Sequence, residues 1–487
     1  MKKNILLLLF ITLTSTLFCQ KIVDVELQET LTKEELAAVF LGFSVNNGIE
    51  AYKVLYETID TDGTIDTASG LMVLPILDSP FRQLPFLAYQ HGTASNRTAV
   101  PSNMENGERI LIYYFAGQGY YTTAADYLGL GESRRVIHPY VHADTEASAA
   151  IDLVKAAKTY TDQQDLLNSG QLFITGYSQG GHAGMAMHKA VNETGIDGLE
   201  VAAGSHMSGI YNMSGELLNA SISEEVYLFP SYVAWIIVGY QSVYGNLYNE
   251  LSDIFRPAYT PLVQSFIDGT TTRSDLNDLL IAELEKNEGA SIPRFLFTDT
   301  FIASFEGDVN GPFQTALRDN NLFDWVPNAP MRMMYCTADD QVAFTNSTFT
   351  DSVMNANGAM DVLSVDVNSS ADHGGCVIPA VFATNIFFEQ FAKRDLVLST
   401  KNVDQQLKFQ VHPNPATDYL TLNFNNIDAG VQAYQLQLIN ISGQTVATQQ
   451  ANNLQNFTFP LNEISSGLYL MQVQSENGFW TEKILIK

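Results

Sequence analysis

The sequence predicts an α/β fold in which a mostly parallel sheet is wrapped by crossover helices, interrupted by a largely helical insertion and followed by a small all-β domain. Three observations predict it. At 487 residues the chain exceeds one ordinary core. Between residues 85 and 192 short apolar runs alternate with helix-length segments, the mark of a parallel sheet. Beyond Lys393 the texture changes to about eighty residues of strand-like segments without a helical pattern.

The first residues, Met1-Lys2-Lys3 followed by the apolar run Ile5 to Phe18, read as a signal peptide over residues 1–20, cleaved near Cys19 or Gln20. The run is too short to span a membrane, and the bulky Phe18 speaks against a lipid anchor on Cys19. Thr32-Lys33-Glu34-Glu35 reads as a capped helix start. Tyr52 to Ile59 and Ser69 to Ile76 flank Thr61-Asp62-Gly63, so an antiparallel hairpin opens the sheet. The alternating elements then run Pro85–Gln90, Arg109–Gln118, Tyr120–Ala125, Ala143–Thr159, Leu172–Thr175 and Gly180–Asn192. The alternation breaks near Asn212. It resumes at Met331, with strands Met331–Tyr335 and Met360–Val367 and a closing helix Val377–Arg394.

The interval, residues 212–328, is read as a lid. Its stretch Val226 to Asn249 has no charged residue, but Pro230 and its Tyr, Ser, Gln and Asn residues suit a mobile aromatic covering better than a membrane segment. The domain reading is therefore 1–20 signal, 21–394 catalytic domain, 395–407 linker, and 408–487 an all-β sandwich. In that last part Val411–Leu422, Tyr434–Ile441, Asn456–Leu461, Gly467–Val473 and Thr481–Ile486 are the expected strands, with turns at Ser442-Gly443 and Asn477-Gly478.

Asp and Glu outnumber Lys and Arg by 53 to 25, a net charge of −28, which repels phosphate backbones and argues against a nucleic-acid partner. Gly176-Tyr177-Ser178-Gln179-Gly180 fits a nucleophile on a sharp strand-to-helix turn. Chance supplies such a string in roughly one chain of this length in ten, so its setting decides. Gln171–Thr175 reads as a buried strand before it and Gly181–Met187 as a small-residue helix after it, which favours a nucleophile over a mere helix cap at Ser178.

Acyl transfer also needs donors for an oxyanion. The backbone amides of Gln179 and Thr93 are the candidates, Thr93 lying in the loop Tyr89-Gln90-His91-Gly92-Thr93, with Gly92 as an alternative. His91 reads as ordering that loop. An acid and a base should follow the nucleophile in that order. Asp339 follows strand Met331–Tyr335 and His373 follows strand Met360–Val367, so Asp339 would orient His373 and His373 would take the proton of Ser178. Asp340 is the alternative acid, and Asp372 reads as shaping its loop. His182 lies too close to Ser178, and His138 and His142 read as structural.

With Cys19 removed two cysteines remain, Cys336 three residues before Asp339 and Cys376 three after His373, and a disulfide between them would clamp acid to base. Gly129-Leu130-Gly131 lacks the third glycine of a dinucleotide loop, Arg134 taking its place, and reads as a structural turn. No metal-ligand spacing emerges and no cofactor is expected.

The ordered set Gln90-His91-Gly92-Thr93, Asp126 to Gly131, His138-Pro139-Tyr140, Gly176 to Gly181, Thr337-Ala338-Asp339 and Asp372 to Gly375 resembles the secretory lipases and related lid-bearing carboxylesterases of the α/β-hydrolase type. The resemblance covers about residues 50–394. It implies a lid between the sixth and seventh strands and hydrolysis of carboxylic esters, often acylglycerols. Cys336 stands where many hydrolases have Gly. The C-terminal part, with Val411-His412-Pro413-Asn414-Pro415-Ala416, Ile441-Ser442-Gly443-Gln444, Ser466-Gly467-Leu468-Tyr469 and the ending Lys483 to Lys487, resembles the type A sorting domain of the type IX secretion system of Bacteroidetes. That implies passage through periplasm and outer membrane on the secretion machinery, and an enzyme released or held at the cell surface.

The expectation is thus a secreted monomeric ester hydrolase acting through an acyl-Ser178 intermediate on an ester with an apolar acyl group. The rivals are a peptidase with the same triad and a non-catalytic surface binding protein on the same scaffold. Too few residues precede the first strand for the propeller of large prolyl peptidases.

Overall fold

The protein was analysed as a computed structural model, which describes residues 21–40, 44–79, 82–217, 222–396, 408–425, 434–440, 443–451, 457–462, 464–475 and 478–487. The expected signal segment 1–20 with Cys19, residues 397–407 of the expected linker, and Ser442 and Asn477 of two expected turns lie outside them. The chain forms two compact units. One holds the residues as far as Ile76 with Leu84–Lys393; the other holds Leu77–Gln83 with Arg394–Lys487.

The first unit is built on β1 (Ile22–Leu31), β2 (Gly48–Ile59), β3 (Ile65–Ile76), β4 (Leu84–Gln90), β5 (Tyr121–Ala125), β6 (Asn168–Tyr177), β7 (Glu200–Met207), β8 (Met331–Tyr335) and β9 (Val362–Asp366), in the order β1-β2-β3-β5-β4-β6-β7-β8-β9. From β5 to β9 all neighbours are parallel; β1, β2 and β3 join antiparallel. The hairpin β2–β3 turns at Gly63, whose positive φ of 81° a glycine adopts without strain.

Two strands are absent from the sequence reading. β1 has a pattern of mostly exposed and half-buried residues, as an edge strand does, so no clean alternation announces it. β7, with Ala203-Gly204-Ser205-His206 at its centre, lacks the β-branched run that marks a buried strand, yet lies inside the sheet between β6 and β8.

Helices α1 (Lys33–Val39), α2 (Arg109–Gly117), α3 (Ala143–Gln163) and α4 (Gln179–Thr194) lie between the strands. Thr32 and Glu35 form the expected capping box of α1. Alternation along the central strands splits their side chains between the faces. Leu87, Tyr89 and Phe173 join a core with Leu111, Ile112 and Phe115 of α2 and Phe387 and Phe388 of the last helix.

Between β7 and β8 the insertion is helical: α5 (Pro230–Tyr244), α6 (Leu251–Ile254), α7 (Thr260–Ile267), α8 (Arg273–Glu288), α9 (Asp299–Gly307) and α10 (Pro312–Asp319). The uncharged stretch expected to be a mobile covering is instead the spine of the insertion's own core. Val233 to Val238 and Tyr240 of α5 are buried with Tyr259, Leu276, Leu280 and Phe297. Among the described residues no helix is long and apolar enough to cross a membrane. Two further helices, α11 (Thr345–Ala356) and α12 (His373–Phe388), flank β9.

The second unit has two antiparallel sheets. One is β10 (Lys408–His412), β11 (Tyr419–Asn425) and β14 (Phe457–Pro460); the other is β13 (Thr445–Ala451), β12 (Tyr434–Asn440), β15 (Gly467–Ser475) and β16 (Gly478–Ile486). Leu420, Leu422 and Phe459 of the first bury against Leu436, Leu438, Met471, Val473 and Ile484 of the second, the core of a small sandwich.

Candidate active site

β6 delivers Tyr177 to the top of the sheet and α4 begins at Gln179, leaving Ser178 alone on the turn. Its backbone is at φ 61°, ψ −120°, a conformation a non-glycine residue holds only when its surroundings impose it. The flanking glycines follow from that turn. A methyl on Gly176 would overlap the carbonyl oxygens of Gly180 and Gln90, and one on Gly180 would overlap those of Gln90 and His91.

His373 opens α12. Asp372 caps that helix by accepting from the Gly375 amide at 2.7 Å, and Asp340 accepts from the His373 amide at 3.1 Å. The His373 ring Nδ1 lies 2.7 Å and 2.9 Å from the two carboxylate oxygens of Asp339, and its Nε2 lies 2.9 Å from the Ser178 hydroxyl. One tautomer satisfies both contacts: Nδ1–H donates to Asp339 and Nε2 accepts from Ser178.

Asp339 sits in the loop after β8, where its Oδ1 also accepts from the amides of Gln341 (3.0 Å) and Val342 (2.9 Å). Burial pushes its carboxyl pKa up. The hydrogen bond and charge of His373, with the two amides, outweigh that and leave it below the ordinary value. The structure therefore brings Ser178, Asp339 and His373 together. Asp340 and Asp372 hold the backbone of α12.

Cys336 and Cys376 form a disulfide, with Cα atoms 5.9 Å apart, between the Asp339 loop and the first turns of α12. Tyr177, beside the nucleophile turn, ties α12 to β6, its hydroxyl donating to the His373 carbonyl at 2.5 Å.

The Gln179 amide is among the first amides of α4, which the helix leaves without an acceptor of its own. The Gly92 amide, the alternative oxyanion donor, is engaged. It donates to Glu108 at 2.9 Å, and Glu108 also accepts from Tyr89 at 2.8 Å. Thr93 is adjacent, its hydroxyl 2.8 Å from that of Tyr140. His91 Nδ1 lies 2.7 Å from the Gly92 carbonyl oxygen and its ring stacks on Tyr127.

Behind the turn lies a network that the sequence did not disclose. The Gln179 side-chain amide donates to His138 Nε2 and to Glu146, both at 2.7 Å, and Glu146 accepts from His182 Nδ1 at 2.7 Å. His138 Nδ1 donates to the Leu128 carbonyl at 2.8 Å, and burial pushes that imidazole down to about 3, so it stays neutral and accepts. Gly129 (φ 78°) and Gly131 (φ 57°) form the turn that holds it. The available signal for Glu146 was a carboxylate among the alanines of a crossover helix; the structure buries it, and a buried carboxylate must be paired.

The insertion touches this machinery. Tyr140 stacks on Trp235 (4.8 Å between ring centroids) and Tyr232 (6.0 Å) of α5. Gln341, two residues beyond Asp339, accepts from Tyr232 at its side chain (2.9 Å) and from Tyr227 at its carbonyl (3.3 Å). Among the described residues no three His, Cys, Asp or Glu side chains gather to hold a metal.

Against curated proteins the sequence has no match. A family described as a secretion system C-terminal sorting domain matches residues 410–487. Among solved structures, a putative hydrolase from Legionella pneumophila is 25% identical, with TM-score 0.69 over 76% of this chain and 98% of its own. The rice cell wall degrading esterase LipA from Xanthomonas oryzae, in a ligand-bound form, is 24% identical, with TM-score 0.67 over 76% and 98%. Candida antarctica lipase A in its closed state is 13% identical, with TM-score 0.54 over 77% and 84%. The chain thus has the α/β-hydrolase fold shared by these lipase and esterase structures, and it carries a secretion system C-terminal sorting domain at residues 410–487.

Proposed function

We propose that the protein is an exported serine ester hydrolase with Ser178 as nucleophile, His373 as general base and acid, and Asp339 as the group that orients and stabilises His373. The observation that carries this reading is the unbroken line from Ser178 Oγ to His373 Nε2 and from His373 Nδ1 to Asp339, on a turn that strains Ser178 to present it. The lipase and esterase neighbours support ester bonds as its target.

In this reading Ser178 Oγ attacks the ester carbonyl carbon while its proton passes to His373 Nε2. The negative charge on the carbonyl oxygen is met by the amides of Gln179 and Thr93. Collapse of the tetrahedral species expels the alcohol, which takes the proton from His373 and leaves an acyl-Ser178. Water, deprotonated by His373, then attacks the acyl carbon, and the carboxylic acid departs as Ser178 regains its proton. Asp339 remains ionised throughout, consistent with its lowered pKa.

The sorting domain supports delivery by the type IX machinery to the cell surface or beyond, after a signal at residues 1–20 is removed. The aromatic group of Tyr140, Tyr232 and Trp235 beside Thr93 supports an ester with an apolar acyl part. The test compares wild type and Ser178→Ala on 4-nitrophenyl esters and on a fluorophosphonate probe. Hydrolysis and labelling are expected to vanish in the variant; esterase activity surviving in Ser178→Ala would overturn the mechanism.

A further inference from the structure

Beside the candidate site lies a cleft of about 310 Å³ between the loop after β4 and the insertion. Its walls include Arg97, Arg273, His138 and Trp235, and no Asp or Glu is among them. That is unusual in a chain of net charge −28. Among the described residues neither arginine forms an ion pair with a carboxylate; Arg273 donates to the Ser274 hydroxyl at 3.1 Å and lies over the Tyr232 ring, 5.4 Å from its centroid. The indole Nε1 of Trp235, a residue 3% exposed, and the Nε of Arg273 are both buried hydrogen-bond donors without an acceptor. A buried donor left unmade is costly. Here both unmatched groups are donors, one of them on Arg273 itself, and the residues that carry them line one cleft together with Arg97.

The same walls reach the proposed chemistry. Trp235 stacks on Tyr140, whose hydroxyl meets that of Thr93, and His138 accepts from Gln179. The cleft is thus one side chain away from both residues proposed to hold the oxyanion.

From this juxtaposition we propose that the cleft is a specificity site for a carboxylate carried by the substrate at a distance from the scissile ester bond. The carboxylate accepts from Arg97 and Arg273, whose planar donor forks suit it, and from the Trp235 indole. This rests on the ester-hydrolase reading and names its substrate class more closely: an ester that is apolar near the reacting carbonyl and anionic at its far end.

The test pairs the mono-4-nitrophenyl esters of adipic, suberic and sebacic acids with the neutral hexanoate, octanoate and decanoate, assayed on the full chain. At the chain length that spans the cleft, kcat/KM for the acid ester is expected to exceed that of its neutral partner by about tenfold or more. The advantage should shrink with added salt. It should collapse toward unity in Arg97→Gln/Arg273→Gln and return in part in Arg97→Lys/Arg273→Lys, while the neutral esters, which report an intact fold, keep their rates in every variant. An acid-to-neutral ratio that the Gln variant leaves unchanged at all three lengths overturns the proposal. If no ester of either kind is hydrolysed, the ester-hydrolase reading fails. Calorimetric titration of free suberate into wild type and the Gln variant then tests the cleft alone: weaker binding in the variant supports it, and equal binding or none refutes it.

Discussion

Replacing both members of the disulfide, Cys336→Ala/Cys376→Ala, separates two effects that the structure superimposes. The bridge closes a loop across a sequence separation of 40 residues. In the chain-entropy estimate that restriction of the unfolded state is worth about 4 kcal/mol, a shift of roughly a thousandfold in the ratio of folded to unfolded hydrolase unit. Both cysteines are fully buried, so two sulfur-sized voids add to the loss. Asp339 and His373 both lie inside the closed loop, three residues after Cys336 and three before Cys376, and the remaining ties between their segments are the Asp339–His373 contact and the Asp340 bond to the His373 amide. A looser Asp339 loop misplaces the imidazole, so kcat should fall by about ten- to a hundredfold, with a smaller change in KM. The assay is residual esterase activity across a urea series, with initial rates measured in the absence of urea. A midpoint that moves by less than about 1 kcal/mol equivalent would refute the entropic account. A lower midpoint with an unchanged kcat would refute the clamp and leave only a staple.

Asp339→Asn should lower kcat/KM by about a thousandfold or more, because an amide facing Nδ1 favours the wrong tautomer, whereas Asp340→Asn, which touches only the His373 amide, should lower it less than about tenfold; steady-state kinetics on one ester decides between them. Gly180→Ala places a methyl against the Gln90 carbonyl, which is backbone and cannot swing aside, so the variant should lose about 1–3 kcal/mol and most of its activity, read by thermal unfolding and turnover together. Asp339 has a lowered pKa in the folded state, so the stability it contributes is complete above the ordinary carboxylate value of 3.8 and is lost as pH falls through the folded value. Urea midpoints should therefore drop below about pH 4 in wild type, and less steeply in Asp339→Asn. Asp372→Ala removes the α12 cap and should cost about 1 kcal/mol in the same measurement.

The sequence alone pointed to the parallel sheet, the strand-to-helix turn at Ser178, and Asp339 and His373 as the residues that meet it. Each depends on local pattern: apolar runs of strand length, glycines where the turn admits no Cβ, and the order of residues after successive strands. It suggested the disulfide, because the spacing of Cys336 and Cys376 from Asp339 and His373 is symmetric, and the structure forms it. The insertion and the sorting domain showed as changes of texture along the chain.

Other features became visible only in the folded chain. β7 reads as Ala, Gly, Ser and His, and is a strand because β6 and β8 pair with it on both sides. Strand propensity reflects such packing more than intrinsic preference. Val226 to Asn249 carries no charge, which suits a mobile cover and a buried spine equally; Tyr259, Leu276 and Phe297 packing around α5 decided for the spine. That the Gly92 amide is engaged by Glu108, sixteen residues away, shows only in the folded chain. The linkage of Glu146, Gln179, His182 and His138, and the gathering of Arg97 and Arg273 beside Trp235, join segments far apart in sequence. A hydrogen bond requires a partner at about 3 Å, and only the tertiary fold brings residues separated by tens of positions to that distance.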